Sequence, residues 1–287
     1  MRLLFTSVLL LLFSDLIGQS FQTLTYFEKD TISLDLDLFL PDKPKENLPL
    51  VIFVHGGGFA TGDRSSGHAL ANHLVSQGIA CASISYTLFM KDKSFSCDGI
   101  TAEKIRAIQI AANQLWEATA YLIQGKNPYQ IDKTNIYLAG SSAGAETVLH
   151  AAYWNRKEMD LFETSLDSNF RYTGIIAGAG AVLDLNAITR ENHLPTMMFH
   201  GDKDELVPYA TAAHHYCRPN ASGWMMLFGS YSIAQHLSQQ NGTVQLITFK
   251  GGGHDFANAF FSENQVVVSD FVKRIKSKEV FCEYRYH

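Results

Sequence analysis

The sequence predicts an α/β domain: a single twisted, mostly parallel sheet of about eight strands with helices on both faces. Three observations predict it. Apolar runs such as "LPLVIFVHGG", beginning at Leu48, lack polar alternation, the pattern of strands covered on both faces. These runs take turns with stretches whose apolar residues recur at helical spacing, over about 230 residues. No composition shift or Gly/Pro/Ser-rich linker breaks the alternation, so residues 21–287 read as one domain. At 287 residues, with 46% hydrophobic and 18% charged, the chain is long and apolar enough to bury a substantial core.

Residues 1–20 stand apart. "MRLLFTSVLLLLFSDLIGQS" has an early Arg2, an apolar stretch too short to span a bilayer, then small and polar residues. That is the anatomy of a signal peptide, with cleavage expected near Gly18, Gln19 or Ser20 and a secreted or periplasmic product. "TLTYFEK" and "SLDLDLFLP" then alternate apolar and polar residues, as an antiparallel hairpin at a sheet edge does. The buried strand from Leu48 is followed by a helical stretch, "GHALANHLVSQG", and the strand "IACASISY". "ITAEKIRAIQIAANQLWEATAYLIQ" has helical periodicity and stops at Gly125 and Pro128. "NIYLAGSS" reads as a strand, "AGAETVLHAAYW" as a helix, and "GIIAGAGAV" and "TMMFHGD" as strands. "VPYATAAHHYC" reads as a helix, "TVQLITFKG" as the last strand, and residues 258–278 as a final amphipathic helix. Residues 87–99 and 218–234 fit neither pattern and are expected to form loops lining a site.

Composition excludes some functions. A net charge of −5 with scattered basic residues gives no electrostatic case for nucleic acid or an anionic membrane surface. The four cysteines, Cys81, Cys97, Cys217 and Cys282, have no zinc-site spacing. Export permits disulfides. Sequence does not fix pairing; Cys217 with Cys282 is the expectation, with Cys97 in a loop and Cys81 buried in a strand.

Gly140-Ser141-Ser142-Ala143-Gly144 matches G-x-S-x-G between an apolar strand and a helix. A nucleophile has to stand clear of the sheet on a sharp, strained turn, and side chains two residues to either side would collide with neighbouring elements. Ser142 is therefore the candidate nucleophile. Ser141 lacks glycines at those offsets. Attack on an acyl carbon creates an oxyanion, which needs preorganised donors. The Ala143 amide supplies one at the helix start. "VHGGGFATGD" ends the first buried strand in bare backbone, and Gly57 and Gly58 are the further candidates. His55, just before them, is expected to order that loop.

A serine hydroxyl needs a histidine to take its proton and a carboxylate to orient that ring. Downstream, "MMFHGDKDELVP" ends one strand in acidic residues and "ITFKGGGHDF" ends the next in His254. Both follow strand C-termini, the edge where open α/β sheets build their sites. Among Asp202, Asp204 and Glu205, Asp204 is preferred, because Asp202 leaves the strand too early and is expected to brace the turn. His254 is preferred over His200, embedded in a strand, and over His214, His215 and His236 on apparent helical faces.

"HGGGF", "GSSAG", "HGDKDELVP" and "GGGHDF", in this order, resemble the carboxylesterase branch of the α/β-hydrolase family, from Phe27 to Lys278. The resemblance implies ester hydrolysis through Ser142, Asp204 and His254, without metal or organic cofactor. Several relatives act on acetyl or feruloyl esters of plant polysaccharides, so small or polysaccharide-borne esters are the expected substrates. The chain departs from the family where Ala145 and Glu146 follow the elbow in place of a second glycine. Glu146 is expected to serve the helix dipole, with substrate contact as the other reading. It departs again at Tyr86-Thr87-Leu88, where relatives commonly have Tyr-Arg-Leu. The short connection between "GIIAGAGAV" and "TMMFHGD" leaves no room there for a large lid, which suits soluble esters. Phe59, Phe89, Phe95 and Trp224 are the candidate aromatic lining. Two other classes compete: an exported peptidase of the prolyl-oligopeptidase type, for whose propeller there is no sequence room, and a non-catalytic relative used for binding, which would be expected to lack a triad member.

Overall fold

Period-two alternation at the start of the domain becomes an antiparallel hairpin, β1 (Phe21–Lys29) and β2 (Ile32–Phe39), paired from Phe21 with Phe39 to Lys29 with Ile32. The computed structural model describes residues 21–42, 47–124 and 129–287. The expected leader, its cleavage point and the helix end at Gly125 and Pro128 lie outside the described residues. Among those described, no helix is long and apolar enough to cross a membrane.

The continuous apolar runs form the parallel centre of the sheet. β3 (Leu48–Val54) lies between β4 (Ala80–Ile84) and β5 (Ile131–Ser141), parallel to both. β6 (Gly174–Gly178), the two-residue β7 (Ala181–Val182) and β8 (Thr196–Gly201) follow in the chain. β9 (Thr211–Ala213), β10 (Met226–Gly229), β11 (Val244–Phe249) and β12 (Cys282–Tyr286) complete the strands. Nine of them make one sheet in the order β1-β2-β4-β3-β5-β6-β8-β11-β12, and β7-β10-β9 make a small second one. In the large sheet only the hairpin and its junction with β4 are antiparallel, whereas the small sheet is antiparallel throughout. Closing the far edge is β12, a short strand paired in parallel with β11.

Side chains of β3 show why both faces are covered. Leu50, Ile52 and Val54 enter one apolar cluster, with Ala111, Leu115 and Val148; Val51 and Phe53 enter the other, with Leu70, Phe261 and Phe271. Alternate residues of a strand point to opposite faces, so a strand buried on both sides has no polar positions to spare. The first cluster is roofed by α2 (Thr101–Ile123) and α3 (Ala143–Tyr153), with the single turn α4 (Arg156–Met159) beyond. On the other face lie α1 (His68–Ser76) and two later helices, after α5 (Ser230–Gln239): α6 (Ala259–Ser262) and α7 (Val266–Lys276).

Four expected elements differ. Residues 218–234, expected to form a loop, contain β10 and the start of α5. The predicted helix over 207–217 is instead β9 followed by one 3-10 turn, His214–Tyr216. Its backbone pairs with β10, and a disulfide anchors its end. The final helix starts only at Val266, because Glu263 is extended (φ −134°, ψ 152°) and separates it from α6. "GIIAGAGAV" is split into β6 and β7 by Ala179, at φ 51°.

The disulfide joins Cys97 to Cys217, across a sequence separation of 120, and not Cys217 to Cys282. Cys282 is an exposed free thiol on the edge strand β12, and Cys81 is a buried one. The reason is spatial. Gly223 donates its amide to the Cys97 carbonyl, and Cys97 and Cys217 have their Cα atoms 5.3 Å apart, within the range a disulfide spans. The segment 87–99, expected to line a site, is thereby tied to the turn that replaces the predicted helix over 207–217.

Candidate active site

The chain leaves β3 for β4 on one side and later returns to β5 on the other, so β3 and β5 flank a topological switch point. In open α/β sheets that is where ligands bind. A cleft of about 710 Å³ opens there, reached by the loops after β3, β5, β8 and β11.

Ser142 caps α3 at φ 53°, ψ −121°, a strained conformation for a residue with a side chain. Its amide is held by the Gly178 carbonyl at 2.8 Å. Glycine is obligatory on both sides: a Cβ on Gly140 would lie 2.3 Å from the Gly144 carbonyl oxygen, and one on Gly144 would lie 2.0 Å from the Val54 carbonyl oxygen. The turn lifts Ser142 Oγ to 2.8 Å from His254 Nε2. The rival hydroxyl, Ser141 Oγ, is buried and meets no hydrogen-bond partner among the described residues.

His254 opens a 3-10 turn on the glycine loop after β11, and its Nδ1 lies 2.7 Å from Asp204 Oδ2. The geometry fixes a tautomer in which Nδ1–H donates to the carboxylate and Nε2 accepts from the serine. Asp204 is buried and receives more than one donor. Its Oδ1 accepts the Leu206 and Val207 amides at 2.8 and 3.0 Å. Its Oδ2 also faces His200 Nε2 at 3.1 Å. Burial alone would push this carboxyl up, but hydrogen bonds from His200 and His254 outweigh it and hold the group well below the usual carboxylate range.

His200 is the residue that sequence reasoning set aside. Its strand position hides the side chain, yet the ring is wedged between the Ser230 hydroxyl, 2.9 Å from Nδ1, and Asp204. The available signal was its spacing of four residues from Asp204 across a tight strand-end turn. Asp202, by contrast, accepts the Gly251 amide at 2.7 Å and braces the turn, as expected. Of the remaining rivals, His214 and His215 stand on the cleft wall and His236 bonds the Ile188 carbonyl at 2.7 Å.

Gly57 and Gly58 also line the cleft, with φ at +107° and +60°. The Gly57 carbonyl is turned away to accept the Ala60 and Thr61 amides, both at 3.0 Å. Ala143 lines the cleft as well, at the start of α3. His55 Nδ1–H donates to the Gly56 carbonyl at 2.7 Å, and its ring stacks on Tyr86 at 4.4 Å. The Tyr86 hydroxyl donates to the His55 carbonyl at 3.0 Å, so these two rings set the loop's shape. Beside Tyr86, Thr87 forms a reciprocal pair with Gln114: its amide donates to Gln114 Oε1 at 2.8 Å and its hydroxyl accepts from Gln114 Nε2 at 2.7 Å.

Of the four expected aromatic lining residues, only Phe95 reaches the cleft. Phe59 is fully buried beneath it, with ring centroids 5.0 Å apart. Phe89 stands outside the cleft with the Lys93 ammonium 3.8 Å over its ring. Trp224 is also outside; its carbonyl accepts the Thr101 hydroxyl at 2.7 Å. The polar wall was underestimated: Glu146, His214 and His215 all border the cleft. Among the described residues no group of acidic, cysteine or histidine side chains is arranged to hold a metal ion.

Residues 36–193, more than half of the chain, match the BD-FAE family. The chain is 30% identical over 110 residues to a probable isoprenylcysteine α-carbonyl methylesterase, ICME, of Oryza sativa subsp. japonica, covering 38% of this chain and 23% of that protein. It is 29% identical over 147 residues to the rice ICMEL1 protein of the same description, covering 50% and 31%. The matches thus span less than a third of the length of these relatives. Among solved structures, native esterase 2 of Thermogutta terrifontis superposes with a TM-score of 0.64 at 15% identity, over 91% of this chain and 93% of that one. The likeness is one of fold: a mostly parallel sheet with helices on both faces. The chain belongs to the BD-FAE family, within the carboxylesterase-like α/β-hydrolases.

Proposed function

We propose that the protein is a serine carboxylic-ester hydrolase working through an acyl-enzyme. One observation carries the reading: Ser142 Oγ, His254 and Asp204 form an unbroken hydrogen-bonded chain, at 2.8 and 2.7 Å, that opens onto a cleft. Ser142 Oγ attacks the ester carbonyl carbon while His254 Nε2 takes its proton. The carbonyl electrons collect on an oxyanion beside the Gly57, Gly58 and Ala143 amides, each donor of this kind being worth about 2.7–4 kcal/mol in such sites. Collapse expels the alcohol, which receives the proton from His254. Water then gives its proton to His254, attacks the acyl-serine and releases the acid, restoring Ser142.

Small or polysaccharide-borne esters of the acetyl or feruloyl type are the proposed substrates. The open, mainly apolar cleft with a few polar groups on its wall supports this. So do the similar T. terrifontis esterase 2 structures, which are described as propionate-bound, butyrate-bound and phosphorylated by paraoxon. Residues 1–20 are proposed as an export signal, and the Cys97–Cys217 disulfide suits an oxidising compartment.

The test is a pair of measurements. A fluorophosphonate should label wild-type protein at Ser142 and leave Ser142→Ala unlabelled, and that variant should fold yet turn over no aryl acetate. Turnover by Ser142→Ala at the wild-type rate would end the reading. A panel of aryl acetates, feruloyl esters and aminoacyl amides then separates esterase from peptidase.

A further inference from the structure

Glu146 sits one helical turn beyond Ser142, its amide donating to the Ser142 carbonyl at 2.9 Å, and borders the same cleft. It is 1% exposed, and neither carboxyl oxygen has a hydrogen-bond partner among the described residues. A helix-dipole role needs no such burial and does not account for two orphaned oxygens. Desolvating a carboxyl without partners is costly, and native interiors rarely tolerate it. Across the cleft wall His214 repeats the pattern: it is 2% exposed, and its Nδ1 is buried and unpartnered. Two independent polar groups, from α3 and from the turn before Cys217, are therefore left unsatisfied on one cleft.

We propose that Glu146 and His214 form a specificity-determining subsite for a neutral hydroxyl of the ester substrate. The assignment rests on the esterase reading above and adds the substrate chemistry. Three kinds of substrate group compete for these atoms, and the surroundings select among them. An anionic group would feel the field of Asp204, which is held ionised and already helps push the Glu146 carboxyl up. A cationic group would meet Lys104, which is buried nearby, donates to the Gly223 carbonyl at 2.8 Å and lies 5.3 Å over the Phe95 ring. A hydroxyl both donates and accepts, so it satisfies a carboxyl oxygen and an imidazole nitrogen together. Burial raises the Glu146 carboxyl to about 8, against the pull of Lys104, and lowers the His214 imidazole to about 2, so neither group imposes a full charge on the substrate at neutral pH. Phe95, with its ring centroid 5.0 Å from that of His214, supplies an apolar side against which the carbon bearing the hydroxyl packs.

The hydroxyl has two possible sources, the acyl half or the alcohol half, and matched esters separate them. One arm compares p-nitrophenyl 3-hydroxybutyrate with p-nitrophenyl butyrate; the other compares glycerol monoacetate with propyl acetate. Wild-type kcat/KM should favour the hydroxylated partner by about tenfold or more in one arm. Glu146→Ala should bring that ratio close to one, whereas Glu146→Gln, which keeps the shape and a donor–acceptor pair, should retain part of it. His214→Phe should lower the ratio as well. Thermal denaturation checks that each variant is folded. Calorimetry with Ser142→Ala and the same intact esters reads the preference without turnover. Equal binding of both partners in both arms overturns the subsite, as does a ratio unchanged in folded Glu146→Ala. Preferential binding by Ser142→Ala, joined to a wild-type protein that hydrolyses neither partner, would support the subsite and sink the esterase reading alone.

Discussion

Asp204 Oδ2 is shared by two imidazoles, lying 2.7 Å from His254 Nδ1 and 3.1 Å from His200 Nε2. His200 is itself anchored by Ser230, so a row of five side chains runs from α5 to Ser142, the proposed nucleophile. Replacing His200 with leucine would leave Asp204 with one imidazole donor and the buried Ser230 hydroxyl with only the Gly180 carbonyl, 3.4 Å away, as acceptor. The expected outcome is a fall of about 10- to 100-fold in kcat/KM and a stability loss of about 1–3 kcal/mol. Steady-state kinetics beside urea denaturation measures both; wild-type values on both axes would show that the second imidazole does nothing.

The elbow glycines admit no side chain. Gly144→Ala would drive a Cβ to within 2.0 Å of the Val54 carbonyl, backbone that belongs to the central strand. Overpacking of this kind costs about 1–3 kcal/mol, occasionally more, and displaces the turn that carries Ser142. Fluorophosphonate labelling of any folded Gly144→Ala should be lost or greatly slowed. Full labelling at wild-type stability would refute the steric argument.

The cysteines make separable predictions. Cys97→Ser should destabilise the protein by about 2–5 kcal/mol, since it opens a long covalent loop. Cys282→Ser, on the exposed edge strand, should shift stability by no more than about 0.5 kcal/mol. Non-reducing peptide mapping should recover Cys97 joined to Cys217. A Cys217–Cys282 peptide would reverse the assignment.

Two buried groups of α3 titrate with opposite signs. The His150 Nδ1–H donates to the Glu146 carbonyl at 2.7 Å and its Nε2 accepts the Leu183 amide at 3.1 Å, so the ring has to stay neutral. Burial lowers it from 6.5 to about 4, and that backbone bond opposes the shift only in part. Below pH 6.5 the unfolded chain takes up the proton first, so stability from this site is lost as pH falls from 6.5 to about 4. Glu146, raised by burial from 4.5 to about 8, does the reverse: the unfolded chain loses its proton first, and stability falls as pH rises through that interval. Glu146→Gln removes the second effect. Its gain in melting temperature over wild type should be absent near pH 4.5 and grow up to pH 8; a gain independent of pH would contradict it.

What could be read from the sequence follows from physics local to the chain. Ser142 and His254 announce themselves because a nucleophile elbow and a glycine loop after a strand are short-range constraints, written within a few residues. Asp204 could be chosen over Asp202 by reach alone. The Cys97–Cys217 link and the placing of Trp224 against Thr101 depend on segments brought together across more than a hundred residues, and the burial of Glu146 and Phe59 and the turning of Phe89 from the cleft depend on packing that no local pattern records. The strand β12 was missed because "CEYRY", after the last helix, has only one face to bury and one neighbour to pair with. The expected helix over 207–217 failed for a related reason. Its apolar residues satisfy helical spacing, but pairing of β9 with β10 wins.

Register carries one more consequence. Val54 pairs with Gly140 and Phe249 pairs with Gly201, so each pair of loops leaves the sheet at the same height. A slip of one residue in either ladder displaces a loop by about 3.3 Å, more than the whole length of a hydrogen bond. The tolerances of the proposed chemistry are thus set in apolar strands away from the cleft, and a change in how those strands interlock would pull Ser142, His254 and Asp204 apart without altering any one of them.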